Sequence, residues 1–168
     1  MSTLKVNEIQ DTSGVVRRGI QTYAIICDQK AQNTNGGTLT SGAWRTRDLN
    51  TEIADPDGIV SISSNQFTLG AGTYLIEAES PVYRVIYNQS RLYNATTSAA
   101  VQLGRSNYSD STNNVQNVSS VVARVTITGN TAFEIQHRSS SSHSTYGFGV
   151  AANLDVEIYT IVKIYKEA

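Results

Sequence analysis

The sequence predicts an all-β domain, an antiparallel sandwich or barrel, on three observations. Apolar and polar residues alternate with a period of two along much of the chain, and no window of a dozen residues shows helical periodicity with capping residues. Clusters of Asn, Gly, Asp, Pro and Ser divide the alternating segments. Many short strands without intervening helices are typical of antiparallel sheets rather than a parallel α/β fold. A length of 168 residues suits one domain.

The strands predicted in the first part of the chain follow from this alternation. They lie at about residues 20–27, 43–49, 59–63, 66–69, 74–79, 82–93 and 97–104. The turn-forming clusters between strands lie at 33–37, 55–58, 106–114 and 139–144. In the strand over 74–79, Tyr74, Ile76 and Ala78 share one face, which we expect to be buried.

The last part of the chain predicts a hairpin and a long closing strand. Residues 121–128 alternate, Gly129-Asn130 has the composition of a two-residue hairpin turn, and residues 133–138 form the return strand. The closing strand has one apolar face, made of Leu154, Val156, Ile158, Thr160, Val162 and Ile164. Ile161 beside Val162, and Val122 beside Val121, indicate strands that are buried on both faces, one against the core and one against another subunit.

The composition excludes several classes of protein. Charged residues make up 16% of the chain, against about 25% on average, while Ser, Thr, Asn and Gln account for 59 of 168 residues. A net charge of -1 without a Lys/Arg run argues against nucleic-acid binding. No apolar stretch is long enough to cross a bilayer, and the first residues do not have the pattern of a secretory signal peptide. Cys27 is the single cysteine, so an intrachain disulfide is excluded.

Residues 1–18 differ from the remainder and are predicted to be an arm that is either frayed or docked on something larger, with residues 19–168 as the domain. The candidate attachment residues of the arm are Leu4, Val6, Ile9, Arg17 and Arg18.

Candidate metal and catalytic sites are weak in this sequence. His137 and His143 lack further ligands at metal-binding spacing, and we expect His137 to be half-buried or to lie on a subunit axis. Asp55 and Asp57 suit either a calcium loop or an ordinary turn, and the turn is favoured. Glu77 and Glu79 share a strand face, as carboxylates on exposed sheets commonly do, and no nucleophile motif is present. The sequence therefore predicts neither an enzyme nor a cofactor.

Tyrosines are the notable candidates for contact with a partner. An exposed tyrosine among Asn, Ser and Thr buries apolar area and keeps its hydroxyl hydrogen-bonded, which suits either a subunit interface or a glycan-binding surface. The interface interpretation is favoured. Tyr108 and Tyr146 are predicted in loops, and the other three lie in or near the 82–93 strand. These candidates are Tyr83, Tyr87, Tyr93, Tyr108 and Tyr146.

The run from Phe67 to Ile76, which contains Gly-Ala-Gly-Thr-Tyr, resembles a strand of the jelly roll shared by the complement globular head and the tumour-necrosis-factor ligands. Residues 121–135 and the closing run 158–165 are similar to later strands of that fold. The resemblance implies a jelly roll of about ten strands that assembles as a homotrimer around a threefold axis.

The segment 147–153, together with Glu157 to Thr160, resembles small virion proteins and fibre tips of tailed phages, notably marine and cyanobacterial ones. Residues 1–14 are similar to the opening arm of such proteins. This resemblance implies a structural protein on the virion surface, a capsid decoration protein or short tail fibre, whose partners are its own copies and other virion proteins. The alternative that it leaves open is a receptor-binding fibre tip that recognises host surface glycan.

Overall fold

The computed structural model describes residues 22–167, which form two packed antiparallel sheets. The strands are β1 (Tyr23–Lys30), β2 (Arg45–Thr46), β3 (Thr51–Ala54), β4 (Val60–Ser63), β5 (Gln66–Leu69), β6 (Gly72–Tyr83), β7 (Ile86–Asn94), β8 (Ala99–Ser109), β9 (Gln116–Ile127), β10 (Thr131–Ser139) and β11 (Glu157–Lys166). One sheet has the order β3-β1-β11-β6-β9, and the other has the order β4-β5-β10-β7-β8 with β2 also paired to β10. The predicted antiparallel sandwich is confirmed. Within residues 22–167 no helix is long and apolar enough to cross a membrane.

The main core lies between the two sheets, where the alternation predicts it. Tyr74, Ile76 and Ala78 of β6 are buried, as are Val121, Ala123 and Val125 of β9. Phe67 of β5 and Phe133 of β10 stack with ring centroids 5.6 Å apart. A smaller apolar cluster lies apart from the main core and consists of Leu39, Val82, Val85 and Phe148.

The hairpin predicted across Gly129-Asn130 is wrong, although both of its strands exist. β9 pairs with β6 over its whole length, whereas β10 pairs with β5 and β7 in the other sheet. The Gly129-Asn130 turn therefore carries the chain from one sheet to the other. A two-residue hairpin occurs instead at Ser64-Asn65, between β4 and β5, and both turn residues have positive φ, 52° and 64°.

The single strand predicted over 82–93 is two strands in different sheets. β6 ends at Tyr83 and β7 begins at Ile86, and both Arg84 and Ile86 adopt positive φ where the chain turns between them. The strand predicted over 43–49 shrinks to Arg45–Thr46. The Arg47 amide still donates to Ile135 O of β10 at 2.8 Å, and the Leu49 amide then donates to the Asn65 side chain instead of to a strand.

The closing strand is shorter than predicted, and its buried face changes midway. Val162 and Ile164 are buried as expected, but Leu154, Val156 and Ile158 are 87%, 50% and 40% exposed. The strand register explains the change: Cys27 pairs with Ile161 but Gln29 pairs with Ile158, so three steps on β11 oppose two on β1. A bulge of this kind turns the preceding residues to the opposite face.

Candidate interaction surfaces

The outward side of the five-stranded sheet, called the five-strand face below, mixes apolar and charged residues. Cross-strand pairing places one row of side chains across four strands: Ile25, Lys163, Glu77 and Val122. The adjacent row places Ile161 beside Glu79 and Ser120. Its exposed residues are thus neither all polar, as on a solvated sheet, nor all apolar, as in a core.

Several apolar residues of the five-strand face are open to solvent in the single chain. Val122 is 60% exposed and Val118 is 52% exposed, whereas their inward neighbour Val121 is buried. Ile161 is partly exposed, whereas Val162 beside it is buried. The predicted apolar residues on both sides of these strands are therefore present, and the outward ones have no cover within the described chain. A shallow cavity of about 280 Å³ on this face brings Arg105 together with Glu77, Glu79 and Lys163.

The five candidate tyrosines do not form one surface. Tyr83 is buried, and its hydroxyl donates to Asn114 Oδ1 at 2.8 Å. Its ring packs edge-on against His143 and Tyr146, with ring centroids 5.9 Å away in each case. Tyr83 and Tyr146 therefore anchor loops at one end of the sandwich.

Tyr87 and Tyr108 lie side by side on the outward side of the six-stranded sheet. Tyr108 belongs to β8, contrary to the loop that was predicted, and pairs directly with Tyr87 of β7. Their ring centroids are 5.4 Å apart, and the side chains are 69% and 48% exposed. Tyr87 borders an open cleft of about 640 Å³, called the aromatic cleft below. Residues that line the cleft include Trp44, Tyr87, Gln89, Asn107, Arg138 and Ser140.

Tyr93 belongs to a stacked group next to the aromatic cleft. The Arg91 guanidinium lies 4.2 Å from the Trp44 ring centroid and 4.7 Å from that of Tyr93. Arg91 also donates twice to Gln136 Oε1, at 2.9 and 2.7 Å. These contacts fix one face of the Trp44 ring.

Glu134 continues this polar group. Burial disfavours its charged form, but hydrogen bonds from Gln136, Gln66 and Thr46 outweigh burial and hold the pKa of the Glu134 carboxyl below its ordinary value. The carboxylate is thus a fixed part of the sheet surface rather than a poised acid.

The prediction that His137 is half-buried or lies on a subunit axis is wrong, because its side chain is fully buried inside the sandwich of one chain. Its Nε2 lies 3.0 Å from Asn88 Oδ1. The Asn88 amide nitrogen donates to Ile86 O, which fixes the orientation of that amide, so Nε2 must carry the proton and donate. Burial, and to a lesser extent the charge of Arg47, lowers the pKa of His137 well below 6.5. The side chain is therefore a neutral structural group.

Arg47 is a buried charge that sequence reasoning missed. It has no exposed surface, and its guanidinium donates to Thr160 Oγ1, Pro81 O and Phe148 O at 2.8, 2.8 and 3.0 Å. The guanidinium also lies 4.3 Å from the Phe148 ring centroid. Burial lowers the pKa of Arg47 to about 9, so the group stays protonated at neutral pH. The alternation of residues 43–49 does not predict that the Arg47 side chain is buried.

The segment 147–153 is a tightly held loop. A Cβ on Gly147 would lie 2.5 Å from the Leu39 amide nitrogen, so only glycine fits there. The Glu157 carboxylate accepts backbone N–H groups from Ala152 and Asn153 at 2.9 and 2.7 Å, and the Ala152 bond contributes most to lowering the pKa of Glu157. Glu157 thus ties the loop to the start of β11.

The candidate calcium loop around Asp55 is an ordinary turn. The Asp55 carboxylate accepts the amides of Ile59 and Val60 at 2.9 Å each, as expected of a turn. Within the part of the chain that the structure describes, no group of three or more His, Cys, Asp or Glu side chains could hold a metal ion. The arm residues Leu4, Val6, Ile9, Arg17 and Arg18 lie outside the described residues.

Comparison with known proteins adds evidence on the fold. No protein-family model matches the sequence, and no curated protein matches it. Among solved structures, the chain is similar to a tumour-necrosis-factor protein, Eiger, from S. frugiperda, with a TM-score of 0.60 and 12% identity over 88% of this chain and 93% of that one. It is also similar to the globular domain of zebrafish complement 1qA, with a TM-score of 0.53 and 13% identity over 88% and 98% of the two chains. Murine APRIL gives a TM-score of 0.55 at 6% identity, over 88% and 99% of the two chains. At such identities the likeness concerns the fold, so the chain is a jelly roll of the complement-head and tumour-necrosis-factor type.

Proposed function

We propose that this chain is a non-enzymatic structural protein that forms a homotrimeric knob on the surface of a tailed-phage virion. Residues 19–168 form the knob and residues 1–18 attach it to the capsid or tail. The observation that carries the proposal is the five-strand face, where Val118 and Val122 are more than half exposed in the single chain. An apolar sheet face of this kind is stabilised when another subunit covers it.

A closed ring of three copies suits the geometry of this jelly roll. The five-stranded sheet ends in the edge strand β3, which cyclic association can cover. The five-strand face also carries charges of both signs, with Lys163 opposite Glu77 in the sheet and Arg105 nearby. Such a face can pair with a second copy without leaving like charges together.

The virion role is supported by the sequence of two segments. Residues 1–14 are similar to the opening arm of phage virion proteins, and residues 147–153 with 157–160 are similar to small virion and fibre-tip proteins. A surface rich in Ser, Thr, Asn and Gln also stays soluble across changes of salt because few exposed groups depend on screening.

The trimer is tested by light scattering coupled to size exclusion on the full chain. The expected mass is three times the 18.2 kDa of one chain. A stable monomer at micromolar concentration would reject the trimer.

The virion role is tested by deleting residues 1–18 and adding the purified protein to particles that lack it. The full chain should bind and be located at regular positions in an image reconstruction, whereas the truncated chain should remain trimeric but unbound. Equal incorporation of both chains would reject the arm as the attachment element, and incorporation of neither would reject the virion role.

A second candidate function, recognition of host surface glycan, is favoured by one observation. Tyr87 and Tyr108 form a solvent-exposed pair beside an open cleft rather than a buried contact between loops. This function is compatible with a virion knob and concerns a different face of the molecule.

A further inference from the structure

The aromatic cleft combines chemical groups that are not needed to hold the sandwich together. It lies on the outward side of the six-stranded sheet, between the loop that carries Trp44, the paired strands β7 and β8, and the end of β10. The hydrophobic core lies on the opposite side of these strands. We infer that the cleft binds an acidic saccharide, whose ring stacks on Tyr87 and whose carboxylate pairs with Arg138.

The walls of the cleft are held in place before any ligand arrives. Tyr87 and Ser140 exchange hydrogen bonds, with the Ser140 amide donating to Tyr87 O at 2.8 Å and the Tyr87 amide donating to Ser140 Oγ at 3.1 Å. The Ser41 amide donates to Ser142 Oγ at 2.9 Å, which ties the opposite loop to the same segment. A site formed in advance loses less entropy on binding.

The aromatic side chains expose apolar area, but the cleft as a whole is not an apolar groove. Tyr87 is 69% exposed, and its neighbour Tyr108 supports it at a tilt of 58°. On the other side Trp44 is fixed by Arg91. Flat rings with polar rims suit the C–H face of a pyranose, which buries little area and keeps its hydroxyls at the edge.

The polar groups of the cleft match hydroxyls. Gln89 lines the cleft, and its Nε2 donates to Gly104 O at 2.8 Å. Its Oε1 therefore remains as an acceptor for a ligand hydroxyl. Serine hydroxyls nearby can both donate and accept, as sugar hydroxyls do.

The charge of the cleft favours an anionic sugar over a neutral one. Arg138 is the charged residue of the lining, which contains no carboxylate, and Arg138 makes no ion pair among the described residues. A second cation, Arg91, lies close enough for the charge of Arg138 to affect it. A guanidinium that is free to form two parallel hydrogen bonds is the common protein partner of a carboxylate. A peptide fits less well, because peptides that bind sheets pair with an edge strand and this cleft lies on a face.

The test uses the full chain and two matched probes, an oligosaccharide that contains a uronic acid and the same compound with its carboxyl reduced to an alcohol. Calorimetry or ligand-observed NMR should show about tenfold tighter binding of the acidic probe. Tyr87→Ala should abolish binding of both probes, and Tyr87→Phe should restore it to within about threefold because the ring is retained. Arg138→Gln should weaken binding of the acidic probe until its affinity equals that of the neutral probe.

Arg45→Gln is the matched control, because it removes an exposed arginine that lies neither in the cleft lining nor on the five-strand face. Its binding should equal that of the parent chain. The inference is overturned if neither probe binds at millimolar concentration, if Tyr87→Ala binds normally, or if Arg45→Gln weakens binding as much as Arg138→Gln. None of these results bears on the trimer mass or on attachment to particles, so this site and the virion role can fail separately.

Discussion

At the residue scale, the buried polar side chains determine how the sandwich responds to pH. Neutral His137 donates to Asn88, and its Nδ1 has no hydrogen-bond partner. A proton on Nδ1 would place a second positive charge near buried Arg47. Folding therefore depends on His137 staying neutral.

This dependence has a definite sign. The folded pKa of His137 lies well below 6.5, so above pH 6.5 both states hold a neutral imidazole. As pH falls below that value, His137 becomes protonated in the unfolded chain but stays neutral in the folded chain. The free energy of unfolding therefore drops by about 1.4 kcal/mol per pH unit. Urea titrations from pH 7.5 to 5 should show this loss in the parent chain and a smaller one in His137→Gln. Parallel curves for the two proteins below pH 6.5 would contradict the assignment.

Arg47 is expected to be the most costly arginine to replace. Its three acceptors, Thr160, Pro81 and Phe148, would be left buried without donors. Arg47→Met keeps much of the length of the side chain but none of the donors, and should lower the free energy of unfolding by about 3–5 kcal/mol. Arg45→Met, at an exposed site two residues away, should change it by less than about 0.5 kcal/mol. Similar unfolding midpoints for the two variants, measured at one protein concentration, would argue against this role.

At the element scale, the sequence predicts strands better than it predicts their partners. Alternation in Tyr74 to Ala78 and in Val121 to Val125 identifies the buried faces correctly, because side-chain period is a local property. Gly129-Asn130 predicts a hairpin wrongly because a tight turn can also connect strands of two different sheets. The strands predicted over 59–63 and 66–69 match β4 and β5, but Ser64-Asn65 between them does not predict a hairpin turn because Ser in a left-handed conformation has no strong sequence signature.

The same limit applies to the candidate surfaces. Tyr87 could be chosen from composition alone, but its partners Trp44 and Arg138 come from distant segments that only the sheet order brings together. Tyr83 has the same residue type and a similar position in sequence, yet it is buried, because the chain changes sheets at Arg84. Sequence pattern does not report where a strand leaves its sheet.

The Ser64-Asn65 turn offers a test of this interpretation. Ser64 has a φ of 52°, a conformation that costs non-glycine residues about 1–2 kcal/mol. Ser64→Gly should raise the free energy of unfolding by about 0.5–1 kcal/mol. The backbone strain that it relieves in the turn outweighs the conformational entropy that it adds to the unfolded chain. Ser61→Gly, in the extended backbone of β4, should lower it by a similar amount. Equal destabilisation by both variants would mean that Ser64 is not strained.

At the scale of the whole molecule, the jelly roll separates two surfaces that face in opposite directions. The five-strand face has exposed valines and charges of both signs, and the six-stranded sheet carries the aromatic cleft. If three copies associate through the five-strand face, the clefts remain at the periphery of the trimer. Self-association and ligand binding would then use different sheets and could change independently.

This separation leads to a prediction about assembly. Val122 projects from β9 with 60% of its side chain exposed, so Val122→Arg should leave the fold of the single chain intact. In a trimer built on the five-strand face the longer side chain would hold the copies apart, and its guanidinium, beside Glu77 of its own chain and close to Arg105, would lose its water on assembly, which costs several kcal/mol. The scattering mass should therefore fall to 18.2 kDa while the circular dichroism spectrum stays unchanged. Ser61→Arg adds the same charge to an exposed position of β4 in the other sheet and should remain trimeric. A trimeric Val122→Arg would show that the copies associate through a different face, and a monomeric Ser61→Arg would show that added charge alone disrupts the assembly.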